Sequence, residues 1–245
     1  MIRIVRSDLP AGTVAEMAVL TRAIASTPVD DRSEKARASW RSQAKVRSSV
    51  RSVLGEMAVG FTTCMYCGES RGTDVDHFEP VVRNPLRAFD WLNHLLACST
   101  CNSHQKGRRF PVDASGAPLP IDPTAEDPFE HLLLTLSLGV YSPLTEKGEA
   151  TIAVLGLNER GLPEGRKHAR KVVALALREW DRARERDRSD EMAENVRTVQ
   201  DQPFADVCQS MLRQAFSPGA DVVFSDCPDL LVLLRREDLR EALLR

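Results

Sequence analysis

No apolar run in this sequence approaches the roughly 18 to 20 residues that a bilayer-spanning helix requires. The nearest stretches are LLVLL at 230–234 and the interrupted HLLLTLSLGV at 131–140. The start, MIRIVRSDLP, lacks the apolar segment of a secretory signal, so a cytoplasmic protein with no membrane partner is expected. Net charge is small, −2, which argues against a chain coated in nucleic acid. Aromatic residues are sparse at 5%, and there is no internal repeat. What remains is an ordinary globular composition, 42% hydrophobic and 28% charged over 245 residues, long enough for one large domain or two small ones.

The charge is unevenly distributed. Residues 1–112 carry 16 Lys and Arg against 11 Asp and Glu, net +5, whereas residues 113–245 carry 17 against 24, net −7. The front half suits a polyanion, and the back half repels one unless a partner covers it. The basic excess is densest between Arg32 and Arg51, where seven basic residues face one acid, Glu34. Arg37, Arg41 and Lys45 recur every four residues there, giving either a solvated helix face or one that contacts phosphates.

Periodicity and punctuation place an extended start at 2–6 and helices at 12–27 and 32–58, the second capped by Ser33 and stopped by Gly60. Residues 61–111 read as short strands and knuckles broken by Gly68 and Gly72, with a short helix from Ser99 that Gly107 ends. The run VDASGAPLPIDPTAEDP at 112–128 is an ordered connector. Beyond it, helical spacing predicts 128–138, 146–155, 161–187, 190–215 and 236–244, an all-helical layer. In the longest of these Val172, Val173, Leu175, Ala176, Leu177 and Trp180 form the inner face. The expected fold class is α+β, divided into an N-terminal helical segment (1–60), a small core (61–115) and a mostly α-helical C-terminal region (116–245).

Of six cysteines, four form two Cys-x-x-Cys pairs, Cys64/Cys67 and Cys98/Cys101, with thirty residues between them. Each pair presents two sulfurs from one knuckle, and four thiolates close a tetrahedron around zinc. A loop of that length adds little closure entropy. Zinc held by four cysteines has no open position, so its role is structural and any chemistry lies in what it staples together. Cys208 and Cys227 read as small buried apolar residues.

The staple encloses VDHFEP and FDWLNHLLAC, and its last ligand opens STCNSHQKG. With CMYC, these stretches over 64–107 resemble the HNH endonucleases of the ββα-metal fold, a family in which the last motif letter is often Asn. The resemblance implies roles for residues at the matching positions. His77 would be the general base that takes a proton from water, a task suited to an imidazole that is mostly neutral at cellular pH. Asp76 and Asn102 would hold a catalytic divalent ion through oxygen, which suits Mg²⁺ or Mn²⁺. Asn93 would hold the loop or the His77 ring in its working orientation. Lys106, Arg108, Arg109 and His104 would contact nucleic acid, although both arginines read equally well as solvated surface. Side chains adjacent in a strand point to opposite faces, so a bend, or a phosphate lying between metal and base, must reconcile Asp76 with His77. His94 is expected at the surface or behind the site, and His131 and His168 are expected to be structural.

The later order GRRFPVD, PIDPTAEDP and VLGLNERGLPEGRK resembles, over 1–180, a bacterial HNH group of Septu- and retron-type antiphage defence systems. That resemblance implies a DNA substrate and an ATPase partner, with the acidic helical region as docking surface. The competing expectation is a zinc-stapled nucleic-acid-binding or scaffolding module without cleavage. A RING-like module would need about eight ligands, and four cluster here.

Overall fold

Three helices open the chain in the computed structural model, which describes residues 1–244. Helix α1 (Ala11–Ala25) follows Pro10 and buries Met17 and Ile24. The single helix expected over 32–58 is two, α2 (Arg32–Ser42) and α3 (Ala44–Met57), because Gln43 leaves the helical region at φ −87°, ψ 67°. The break lets each helix aim its own apolar side inward: α3 buries Val46, Val50, Val53 and Leu54. Ser33 does not cap α2, whose N-cap position is Asp31. The start at 2–6 belongs to no strand, yet Ile2 and Ile4 are buried and Ile4 N–H donates to Pro123 O.

Strands β1 (Asp74–His77) and β2 (His94–Ala97) pair antiparallel, with Asp74 opposite Ala97 and His77 opposite His94. This pairing folds the long loop between the cysteine pairs back on itself. A helical turn of π geometry, Thr100–Lys106, follows β2 and ends where Gly107 takes φ +51°, a conformation that favours glycine. Two short strands and this helix make the expected ββα core.

Residues 112–128 form an ordered connector: Asp113 Oδ1 accepts from the amides of Ser115 and Ala117, and Asp122 Oδ1 from Thr124. The helix expected over 128–138 is instead a hairpin, β3 (Leu132–Thr135) with β4 (Val140–Pro143), so the C-terminal region is not all helical. Leu132, Leu134 and Leu136 are buried while Leu133 is 43% exposed, a period of two that the run of leucines conceals. Gly139 turns the hairpin at φ +70°, where a Cβ would lie 2.1 Å from Pro163 O.

Helix α4 (Glu146–Leu155) is capped by Thr145. Helix α5 (Leu162–Glu185) buries Val173, Ala176, Leu177 and Trp180; Leu175, expected among them, is 62% exposed. The segment at 190–215 divides into α6 (Ser189–Asp201) and α7 (Ala205–Gln214) at Pro203, with Phe204 at φ +63° and its ring lying on Gly165. Helices α8 (Ala220–Val223), α9 (Pro228–Leu234) and α10 (Glu237–Leu244) complete the layer. Cys208 and Cys227 are buried as expected. One apolar cluster runs from Ile2 through Leu95 to Leu239, so the small core is packed between the terminal layers.

Candidate active site

The two knuckles close first. Gly68 takes φ +70° to return its N–H to Cys64 O at 2.9 Å, and Met65 N–H donates to Leu96 O at 2.9 Å, fastening the first knuckle to β2. The second knuckle directly follows β2, so the strand that positions one pair carries the other. All four sulfurs are buried and lie within 4.8 Å of one another, with Cys67 and Cys98 at 4.0 Å. A tetrahedron with zinc–sulfur bonds of about 2.3 Å has sulfurs about 3.8 Å apart, so the residues fit the ion. Hydrogen bonding from Cys101 and then Cys64 lowers the Cys67 thiol to about 6, and the same neighbours hold Cys98 below its usual range.

Strand alternation then sorts the motif onto two faces. One face carries Asp74 and Asp76, and the helical turn Thr100–Lys106 covers it. Asn102 Nδ2 donates to Asp74 Oδ2 at 3.2 Å; four residues on, Lys106 Nζ donates to Asp76 Oδ1 at 3.0 Å and to His77 O at 2.7 Å. Asp76 is 3% exposed, and its other oxygen, Oδ2, accepts from Tyr66 Oη at 2.6 Å. Burial and the neighbouring Asp76 charge raise the Tyr66 phenol well above its ordinary range, so it stays a neutral donor. Asp76 and Asn102, the expected ligand pair, therefore share this face but hold different partners. Lys106 is 2% exposed and its ammonium faces a carboxylate, not solvent, which departs from its expected place against phosphates.

The opposite face carries His77. Its Nε2 lies 3.0 Å from Ala88 O, and His94 Nε2 lies 3.1 Å from the same oxygen. A carbonyl only accepts, so both Nε2 atoms carry the proton and both Nδ1 atoms the lone pair. His94 Nδ1 is buried without a partner, whereas His77 Nδ1 is not an enclosed atom. Burial lowers the His77 pKa, and more strongly that of His94, so both rings are neutral. A neutral imidazole whose second nitrogen makes no hydrogen bond is competent to accept a proton. Trp40 of α2 walls this pocket, edge-on to His77 at 4.8 Å and stacked on His94 at 4.8 Å. His94 is thus fully buried behind His77, not at the surface.

Asn93 ties the loop between the strands. Its Oδ1 accepts from Glu79 N–H at 2.7 Å, and its Nδ2 donates to Glu79 O at 3.0 Å and Arg87 O at 3.1 Å. These bonds fix the segment that presents Ala88 O to His77. His104 is exposed with Nδ1 near Ser99 O, and Arg108 is exposed. Arg109 instead caps the end of α4, donating to Val154 O at 2.7 Å and to Gln105 O. His131 holds Thr145 and Glu126, a structural position.

Sequence reading missed Tyr66, Trp40 and the pairing partners of Asp74 and Lys106. Only the Asp-x-Asp spacing on one strand face, matched by residues four apart in the following helix, pointed toward them.

Residues 64–108 match the family model described as HNH endonuclease. Septu protein PtuB of Bacillus thuringiensis is 32% identical over 101 residues, a match covering 39% of this chain and 37% of that protein. The similarity thus spans little more than a third of the curated relative.

Proposed function

We propose that this protein is a metal-dependent endonuclease that hydrolyses DNA phosphodiester bonds, the nuclease effector of a bacterial antiphage defence system acting with an ATPase partner. One observation carries the reading: inside the stretch that matches an HNH endonuclease, the His77 ring is oriented through Ala88 O and its Nδ1 makes no hydrogen bond. The similarity to the Septu protein supports the defence role, and the net −7 after residue 112 supports a covered docking surface there.

In this reading His77 Nδ1 takes the proton of the attacking water while Ala88 O stabilises the charge the ring acquires. Asn93 keeps Ala88 in place, and Trp40 and His94 restrict the ring to one orientation. Asp76 and Asn102 are the residues that would hold Mg²⁺ or Mn²⁺, with Asp74 close by on the same face; their oxygen donors suit a hard ion. When bound, such an ion supplies Lewis-acid stabilisation of charge on the phosphate and leaving oxygen. The cysteines would hold a structural zinc that takes no part in proton transfer.

A second reading, a nucleic-acid-binding or scaffolding module without cleavage, is favoured by one feature: both oxygens of Asp76 already have partners in Tyr66 and Lys106. Incubating wild type and His77→Ala with plasmid and linear DNA, in Mg²⁺, Mn²⁺ or EDTA, separates the two. The nuclease reading expects metal-dependent cleavage that falls by about 10²- to 10⁴-fold in His77→Ala. Cleavage that persists in the variant removes His77 as base. No cleavage by wild type, with the partner present, leaves the binding module.

A further inference from the structure

The basic residues expected to meet the substrate directly after the motif are largely engaged elsewhere: Lys106 with Asp76, and Arg109 with the end of α4. A different set of cations stands unpaired. Between α3 and the start of β1 lies an open groove of about 860 Å³, floored by Leu96 and bordered by Ser48, Arg51 and Ser52 on the helix and by Arg71 and Thr73 on the strand side. Both arginines are exposed, and neither guanidinium has a partner among the described residues. Glu56 is the one acid on the rim.

The groove borders the candidate site at Thr73. Thr73 Oγ1 donates to Asp74 Oδ1 at 3.1 Å, and Asp74 in turn holds Asn102. Its floor lies on the same strand face as His77, because Leu96 pairs with Val75 and His94 with His77. Two unpaired guanidiniums on one groove with the hydroxyls of Ser48, Ser52 and Thr73, next to the strand that carries His77, have the chemistry of a phosphate track. Gly55 lines the groove on the helix side, and a Cβ there would meet nothing nearer than Thr62 Cγ2 at 3.8 Å. A glycine inside a helix is less favourable than alanine, and here its absent side chain leaves the groove open.

We infer that the groove between α3 and β1 is where the sugar–phosphate backbone of the DNA substrate lies, with Arg51 and Arg71 as its phosphate contacts and Gly55 keeping the track clear. The inference rests on the proposed nuclease reading and adds to it the path of the substrate.

The test measures duplex DNA binding by the full chain as a function of salt, for wild type, Arg51→Ala/Arg71→Ala and Gly55→Met. The double variant should lower the slope of log K against log[salt] by about 2, near one for each lost phosphate contact. Gly55→Met keeps every charge and should weaken binding at least tenfold, with an unchanged or raised melting temperature. Arg108→Ala is the comparison, expected to change the slope less than the double variant. Wild-type slope and affinity in both the double variant and Gly55→Met, with wild type itself binding and cleaving DNA, overturn the groove alone. A wild-type protein that neither binds nor cleaves DNA overturns the nuclease reading on which it rests.

Discussion

Two buried carboxylates, one in the small core and one in the helical layer, solve the same problem with different partners. Asp76 is met by the Tyr66 phenol and the Lys106 ammonium. Asp206 on α7 is met by the Tyr141 phenol, the Arg166 guanidinium at 3.3 Å and the Met1 ammonium at 3.1 Å. In each a neutral phenol and a cation offset the desolvation of a charge that is at most 3% exposed. The difference lies in the cation. Arg166 also donates to Gly139 O and Leu157 O and lies over the Tyr141 ring at 4.5 Å, so one planar fork fastens the β3–β4 hairpin, the end of α4 and α7 together. Lys106 is a point charge on a flexible stem with one carboxylate and one carbonyl. The helical layer uses the rigid partner, which joins several elements at once. The core uses the compliant one beside the residues proposed for catalysis.

Breaking the frame around one carboxylate while sparing the other has the largest expected effect. Cys98→Ser removes one of the four thiols proposed to hold zinc, and because structural zinc binding is itself folding free energy, hydrogen-exchange protection should be lost across 61–111. The helices α5 to α10 should keep theirs. Loss of protection in both regions at once would show that the staple supports the whole chain.

Asp206→Asn comes next. It leaves Arg166 and the Met1 ammonium buried without a counter-charge, expected to cost about 3–5 kcal/mol in chemical denaturation. The same residue gives the wild-type layer an acid limit. Burial pushes the Asp206 pKa up, but the Met1 ammonium and Arg166 outweigh it and hold the group below its ordinary value. A lowered folded pKa means that its stabilisation is present above the unfolded value, about 3.9, and is lost as pH falls through the folded value. Melting curves from pH 7 to 3 should therefore show a steeper decline below about pH 4 in wild type than in Asp206→Asn.

Lys106→Met leaves Asp76 with Tyr66 alone and should destabilise by about 2–4 kcal/mol. The loss should concentrate in exchange protection of 74–77 and 100–106, and a uniform loss would deny Lys106 the local role its contacts give it. Smallest is Arg109→Ala, which frees carbonyls at the exposed end of α4 and should cost about 1 kcal/mol with little change in DNA affinity. A large drop in affinity would return Arg109 to the phosphate contacts expected of it from sequence.

Much of the core was legible because its signals are local. Cys-x-x-Cys, Val-Asp-His and Gly107 each act within a few residues, so spacing alone predicts knuckle, strand and helix end. The hairpin at 132–143 was hidden because leucine favours a helix wherever packing does not decide, and the alternation of Leu132, Leu133 and Leu134 emerges only against a buried face. The break at Gln43 was hidden too, since no proline or glycine marks it and the aim of α2 and α3 at different surfaces causes it.

The sequence by itself determined which groups are available: four thiols, two carboxylates on one strand face, an imidazole on the other, and two asparagines at spacings that resemble the family's. Tertiary structure alone decided who meets whom. Trp40 reaches His77 and Lys106 reaches Asp76 because α2 and the π turn pack against the same hairpin from opposite sides. Such pairings join residues about 30 or more apart, and they follow from the burial of whole elements, which no local spacing encodes.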